Sequence, residues 1–369
     1  MRRSSSSSAL SRKQGQSSWT RGPRSLPKAC PRRPRSMADR IESKAGCRRT
    51  CKGLTNYAQL LMRRGPGVAF LKNKVKVGLV AFVDLLGFSA RVEAMKTFED
   101  LKLLDQTIAR VQRYFDHKPS DSLTKESQQI TAKTVLAFSD CLVITVPVDS
   151  ELASQDGHFD VLMNELSNFA LSLGLCAVNG IFLRGGVDFG LWYRNRDRLI
   201  SPAMVKAYEL ERDACVPMIA VTGEVHRHFS EHRDRKFYHK SADPIPRILR
   251  RFDDLPNGKA QWLIDYMPIC LESVDGHIAA ADLARYKTSN PEIRDQMRNE
   301  AFWRDCRQWA TWHADAIRGQ YRTATAGSIR AKYVWLARYH DDAVARFFGT
   351  APAELLIGDL ANDAGTIAS

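Results

Sequence analysis

Two short apolar runs in this chain each end in an aspartate, and a long helix-periodic stretch separates them. The first reads Val80-Ala81-Phe82-Val83-Asp84-Leu85-Leu86-Gly87-Phe88-Ser89, the second Val135-Leu136-Ala137-Phe138-Ser139-Asp140-Cys141-Leu142-Val143-Ile144. Their β-branched and aromatic content predicts strands. A carboxylate within an apolar strand is costly unless it is paired or binds a cation. Two of them side by side repel each other, and divalent ions turn that repulsion into a site, because hard oxygen ligands suit Mg²⁺ or Mn²⁺. Two such ions about 4 Å apart can activate an attacking oxygen and stabilise a leaving phosphate. Either aspartate alone would serve equally well as a strand-end turn or cap. Their matched placement is what points to a metal centre.

The order of elements lets the two carboxylates meet. Residues 74–84 predict a strand that runs into Asp84. Between Arg91 and His117, Val92, Met95, Phe98, Leu101, Leu104, Ile108, Val111 and Phe115 recur at three and four, which predicts one long amphipathic helix. A polar stretch, Pro119–Thr131, leads into strand 133–138, a turn at Ser139 and Asp140, and strand 141–147, a hairpin with Asp140 at its tip. A second helix spans 157–175, and 180–184 with the glycine-containing 185–193 reads as another hairpin. Helix 202–212 and strand 217–222 follow. This β-α-β-β-α-β order is the split βαβ arrangement of ferredoxin-like α+β folds, which sets the end of the first strand beside the tip of the central hairpin. Beyond about residue 226 the pattern loosens to short strands around Trp262, Leu263 and Tyr266, then helices over 291–318 and 327–347. Trp303, Trp309, Trp312, Tyr333 and Trp335 on these helices suit a helix-pair core or a dimer surface better than a ligand cage.

Charge divides the 369-residue chain. Residues 1–72 hold 18 of its 55 Lys/Arg and 2 of its 41 acidic residues, a net of +16, which leaves −2 for the remainder of the overall +14. The Ser-, Arg- and Pro-rich segment cannot bury enough apolar surface to offset its ordering entropy, and disorder is expected for 1–72. A transit peptide, a nucleic-acid-binding arm and an anionic-membrane patch are open readings of it. An over-extended start is the reading adopted, since Met37 or Met62 could begin the same body. For the body itself no nucleic-acid partner is expected. No apolar central region follows the first arginines, so a secretory signal is not expected there. With 44% hydrophobic residues and no apolar run near twenty, a soluble protein without a membrane span is expected. The eight cysteines form no CxxC pair, which suits reduced thiols in a cytoplasmic protein.

Four blocks resemble the class III nucleotide cyclase catalytic domain: FVDLLGFS (82–89), FSDCLVI (138–144), LRGGVDFG (183–190) and AYELERDACVPMIAVTGEV (207–225). The resemblance implies a catalytic domain over 73–226 with a C-terminal α-rich extension over 227–369. It implies that Asp84 and Asp140 bind two Mn²⁺ or Mg²⁺ ions, with the backbone carbonyl of Leu85 completing one site. It further implies that the backbone N–H groups of Leu86, Gly87, Phe88 and Ser89 hold the triphosphate, that Arg184 contacts phosphate, and that sites form between two head-to-tail subunits of a homodimer.

Departures from the purine pattern narrow the reading. Adenylate cyclases place a base-reading lysine, and guanylate cyclases a glutamate, where this chain has Leu136. The second base-reading position falls near Arg198. The asparagine and arginine that act on the transition state fall at Val205 and Glu209. With both aspartates retained, this is similar to the pyrimidine cyclases of bacterial Pycsar anti-phage systems, as are AYELE (207–211) and the tail KYVWLARYH (332–340). The implied activity is cyclisation of UTP, or else CTP, to the 3′,5′-cyclic mononucleotide, which a separate effector reads. Arg198 could donate to a pyrimidine O2 or to phosphate, or belong to a solvated basic face with Arg194 and Arg196. Tyr208 could stack on a base or pack in the core. Arg184 could be a phosphate fork or a strand-end salt bridge. A purine cyclase and a non-catalytic nucleotide sensor are the alternatives. A diguanylate cyclase is a distant third, on the faint GG[DE]EF echo at Gly185–Phe189.

Overall fold

A computed structural model describes residues 75–116, 130–195 and 198–360. The expected disordered segment 1–72 lies outside them, as do most of the polar stretch after His117 and Arg196. Eight strands form one sheet in the order β2-β3-β1-β4-β6-β8-β7, with β5 paired to β4. They are β1 (Val75–Leu85), β2 (Thr134–Phe138), β3 (Cys141–Pro147), β4 (Leu183–Asn195), β5 (Arg198–Ile200), β6 (Ile219–Val221), β7 (Leu249–Phe252) and β8 (Gln261–Ile264). Its first four positions are the antiparallel split βαβ arrangement: β1 lies between β3 and β4, and β2 flanks β3. The fold is α+β, as the sequence predicts.

Period-two alternation gives the sheet two different faces. Leu79, Ala81, Val83 and Leu85 of β1 join Leu142, Ile144 and Val146 of β3 on one face, all at most 3% exposed. Helices α2 (Phe98–Asp116) and α4 (His158–Val178) cover it with Val111, Phe115, Phe159, Leu162, Leu166 and Phe169. Helix α4 is long and apolar enough to cross a membrane, but 67% of that stretch is buried inside this core. The opposite face carries Phe82 and Asp84, with Gly186 and Arg184 as their neighbours on β4 and Val143 and Cys141 on β3.

Two predicted elements differ from those observed. The single helix expected over 91–117 is α1 (Phe88–Ala94) followed by α2, with an extended Met95 between them. Thr97 and Asp100 restart the helix as a reciprocal capping pair: Asp100 Oδ2 accepts from the Thr97 N–H at 2.8 Å, and Thr97 Oγ1 from the Asp100 N–H at 3.2 Å. The hairpin expected within 180–193 is instead one thirteen-residue strand, β4, paired with β1 from Leu183 to Tyr193. Its glycines do not turn the chain. Gly186 and Gly190 admit the backbone of α5 (Pro202–Ala214): a Cβ on Gly186 would sit 2.1 Å from the Ala207 carbonyl oxygen, and one on Gly190 3.0 Å from Ala203 Cβ.

The C-terminal part belongs to the same sheet and the same core. A short α8 (Tyr266–Glu272) leads to the long pair α10 (Pro291–Thr323) and α11 (Gly327–Phe348), numbered after α9 (Leu283–Thr288). Trp309, Tyr333 and Trp335 are buried and Trp303 packs on Phe347 and Phe348, so most of the aromatics form the expected helix-pair core; Trp312 is exposed. A buried polar chain joins these elements. His340 Nε2 lies 2.9 Å from the Leu355 carbonyl, which can only accept, so that nitrogen carries the proton. Neutral His340 then accepts at Nδ1 from His313 Nδ1–H at 2.8 Å, and His313 Nε2 accepts from the Tyr266 hydroxyl at 2.7 Å. Every group is satisfied with both rings neutral, and burial pushes both imidazoles below their ordinary range.

Candidate active site

The site begins with register. Asp84 is directly opposite Cys141 on β3 and Arg184 on β4. The β2–β3 turn has two central residues, Ser139 and Asp140, since Phe138 pairs with Cys141. Ser139 takes a left-handed conformation (φ 56°), a modest strain of the sort that persists where surrounding structure fixes a functional residue. The Leu85 N–H donates to the Asp140 carbonyl at 3.2 Å, which ties that turn to the end of β1. Ligand atoms of Asp84, Asp140 and Cys141 all fall within 4.8 Å of one another. The structure therefore brings together the two carboxylates that the sequence separates by 56 positions.

The donors suit a hard cation. The Cys141 thiol donates to Asp84 Oδ1 (3.5 Å) and Asp140 Oδ1 (3.7 Å). Burial, and next the two neighbouring carboxylates, push its pKa up to about 12, so it stays a neutral thiol rather than a soft thiolate ligand. Two carboxylates beside a protonated thiol form an oxygen-donor set of the kind Mg²⁺ and Mn²⁺ prefer. Burial raises the Asp84 carboxyl above its usual range, with the Asp140 charge adding to it, while the Arg184 hydrogen bond and charge oppose the shift. Arg184 Nε and Nη2 contact Asp84 Oδ2 at 2.9 and 2.8 Å, leaving Oδ1 directed toward Cys141.

Glu211, a residue of AYELE that the sequence suggests for an interface or a cap, instead lies against Arg184 at the site. Its Oε1 lies 2.5 Å from Arg184 Nε, an ionic contact too poorly aligned to be a hydrogen bond. It is buried, and desolvation raises its carboxyl above the usual range. Helix α5 places it there. Ser201 caps the helix by accepting from the Met204 N–H while its hydroxyl donates to the Leu191 carbonyl of β4. The buried stripe Ala203, Ala207, Glu211, Ala214 then lies against the two glycines of that strand. A carboxylate on a stripe of small apolar residues at spacings of four and three was the available signal.

The turn that the resemblance assigns to the triphosphate is changed at one position. The Leu86 N–H donates to the Phe182 carbonyl at 2.9 Å and is taken by the fold. Gly87 (φ 77°) begins α1 without a side-chain cap, so the first-turn N–H groups of Phe88 and Ser89 have no intrahelical acceptor. Next to Cys141 opens a groove of about 580 Å³ lined by Phe82, Phe138, Cys141, Val143, Arg198, Leu199, Ile200 and Met204, a size common for ligand sites. Arg198 is its one charged liner. Among the described residues the Arg198 side chain forms no hydrogen bond or ion pair, whereas Arg194 donates to Thr134 at 2.8 Å. Leu136, opposite Val143, faces the same side. Tyr208 is 47% exposed with its ring edge-on to Phe82 at 5.2 Å, at the groove's margin and not in the core. Val205, 51% exposed, and Glu209 share the outer face of α5.

No family model matches the chain, and no curated protein does. Solved structures are similar to it at low identity. A bacterial light-regulated adenylyl cyclase shares 13% identity and a TM-score of 0.31 over 53% of this chain and 95% of its own. An adenylyl cyclase from P. aeruginosa shares 13% and 0.31 over 52% and 94%. A guanylyl cyclase shares 10% and 0.28 over 52% and 91%.

Proposed function

We propose that this protein is a nucleotide cyclase that converts a pyrimidine nucleoside triphosphate, UTP in preference to CTP, to the 3′,5′-cyclic monophosphate and pyrophosphate. The observation that carries the reading is the convergence of Asp84 and Asp140 at adjacent strand ends, beside a groove with a single guanidinium. Asp84, Asp140 and the Leu85 carbonyl would hold two Mn²⁺ or Mg²⁺ ions, which when bound lower the pKa of the 3′-hydroxyl and neutralise triphosphate charge. The 3′-oxygen attacks the α-phosphorus, the bond from that phosphorus to the bridging oxygen breaks, pyrophosphate leaves and the hydroxyl proton passes to solvent. Arg184 holds Asp84 in place and, once it turns toward phosphate, supplies a fork of donors. The N–H groups of Gly87, Phe88 and Ser89 would hold the triphosphate.

Base choice follows from what the groove offers. Leu136, on the same side as the groove, offers no hydrogen bond at the position where the resembled cyclases read a purine edge, and each buried polar group left unpaired costs roughly 1–3 kcal/mol. Arg198 can donate to the O2 that uracil and cytosine share, and the exposed Tyr208 ring can stack on the base. The resemblance to Pycsar enzymes is what favours UTP and a cytoplasmic anti-phage role with a separate effector. The apolar outer positions Phe138, Ile200, Val205 and Tyr208 suit the face that a second subunit would cover in a homodimer.

Incubation of the purified protein with each of the four nucleoside triphosphates and Mn²⁺, with products identified by mass, tests the activity. A cyclic pyrimidine mononucleotide with stoichiometric pyrophosphate is expected. A second reading, a non-catalytic nucleotide sensor, is favoured by Val205 and Glu209 standing where catalytic donors would be expected. It predicts saturable nucleotide binding without turnover.

A further inference from the structure

Helix α11 of the C-terminal part reaches the candidate site. Tyr333 packs edge-on against Phe182 with ring centroids 5.4 Å apart. Phe182 is the residue whose carbonyl holds the Leu86 N–H, and it lies two positions before Arg184. The contact sets the first turns of α11 against the residue that leads into β4 and holds the Leu86 N–H. Lys332, next to Tyr333, is half-buried there. It lies close enough to Arg184, Glu211 and Asp84 for their charges to act on it.

The half-exposed Lys332 ammonium is left to solvent: among the described residues its side chain makes no hydrogen bond and has no carboxylate within 4 Å, although Glu211 and Asp84 are both in the neighbourhood. Those two carboxylates are drawn instead to Arg184. A partly desolvated ammonium without a partner is unfavourable, and its pKa is lowered, first by burial and then by the Arg184 charge. An arrangement that holds two cations together at the mouth of an acidic site is offset when a polyanion binds between them. Val205 and Glu209, meanwhile, leave the site short of positive charge.

We propose that Lys332 is a ligand of the substrate's triphosphate, delivered to the active site by the C-terminal helical part. With Arg184 it forms a two-cation clamp that stands in for the positive charge absent from α5. The proposal rests on the cyclase reading and makes α11 part of the catalytic unit, so that residues 73–226 alone would lack a substrate contact.

The test uses the full chain with Mg²⁺ and inorganic tripolyphosphate, which reports on the phosphate subsite without turnover. Calorimetric titration should show Lys332→Met weakening tripolyphosphate binding by about tenfold or more, the loss typical of a charge-assisted contact, with Lys332→Arg restoring most of it. In parallel, an amine-acylating reagent applied to wild-type protein should modify Lys332, and tripolyphosphate should protect it. The protection measurement needs no variant and stands even where Lys332→Met misfolds. Wild-type binding that neither depends on Lys332 nor protects it overturns the proposal and leaves the cyclase reading intact. A wild-type protein that binds no tripolyphosphate overturns the cyclase reading, and the clamp falls with it.

Discussion

The two faces of the sheet are made from the same strands and differ in almost every physical respect. On the core face Leu79, Ala81, Val83, Ile144 and Val146 are at most 1% exposed and meet the aromatic sides of α2 and α4. On the other face, one residue along each strand, sit Asp84, Arg184 and Cys141, with Glu211 above them, and the carboxyl and thiol pKa values are raised. Clusters of shifted groups of this kind mark functional sites more often than structural ones. The first face holds register for the second. A one-residue slip of β1 would exchange Val83 for Asp84 across the sheet, so the apolar side fixes where the carboxylate points.

The comparison can be broken most severely on the site face. Replacing Asp84 or Asp140 by Ala should lower cyclisation by about 10³-fold or more, the several kcal/mol of transition-state stabilisation that such ligands support, with unchanged circular dichroism. Because the Asp84 carboxyl is raised by burial, its ionised form costs stability as pH rises above the usual carboxylate range. Asp84→Asn should therefore leave the Tm of metal-free protein at neutral pH equal or higher, and a clear fall would contradict the electrostatic account. On the core face the opposite pattern holds: Phe115→Ala should cost about 3–5 kcal/mol in denaturant unfolding, and any loss of activity should track the unfolded fraction.

Gly186→Ala sharpens the comparison, since this glycine lies where α5 meets the site face. Its Cβ would meet the Ala207 carbonyl at 2.1 Å. We expect a cost of about 1–3 kcal/mol together with a fall in kcat in the fraction still folded, because α5 carries Glu211. Equal kcat would mean that Glu211's position is unimportant. The last effect is in the C-terminal helices. His313 and His340 have lowered pKa values, so the stability they contribute is complete above about 6.5 and is lost as pH falls below it. Each ring should remove up to about 1.4 kcal/mol per pH unit, visible as a falling Tm between pH 6.5 and 5 that His340→Gln reduces.

Much of this organisation was legible in the sequence, and the parts that were not share a cause. Local periodicity revealed the β-α-β-β-α-β order, and topology then brought Asp84 to Asp140. The break at Met95–Thr97 went unseen because the apolar spacing runs through it, although Thr97 and Asp100 carried a capping signal. The glycines of 183–190 suggested a turn, whereas their role is close helix approach, which depends on an element 20 residues away. Glu211 left a trace in the small-residue stripe of α5. Lys332 opens the tail KYVWLARYH, but nothing in that motif placed it near the site, since its position depends on how α11 docks. The Leu86 N–H, read as a phosphate donor, is used by Phe182 for a reason equally remote in sequence.

The central claim is that the charged face of this sheet is a cyclase centre whose groove prefers the smaller ring. A single reaction containing equimolar ATP, GTP, UTP and CTP with Mn²⁺, sampled by mass spectrometry for wild type and Asp84→Asn, tests it directly. The account predicts cyclic UMP or cyclic CMP formed at least about tenfold faster than either purine product, and no product from the variant. Preferred consumption of ATP or GTP, or undiminished turnover by the variant, would contradict it.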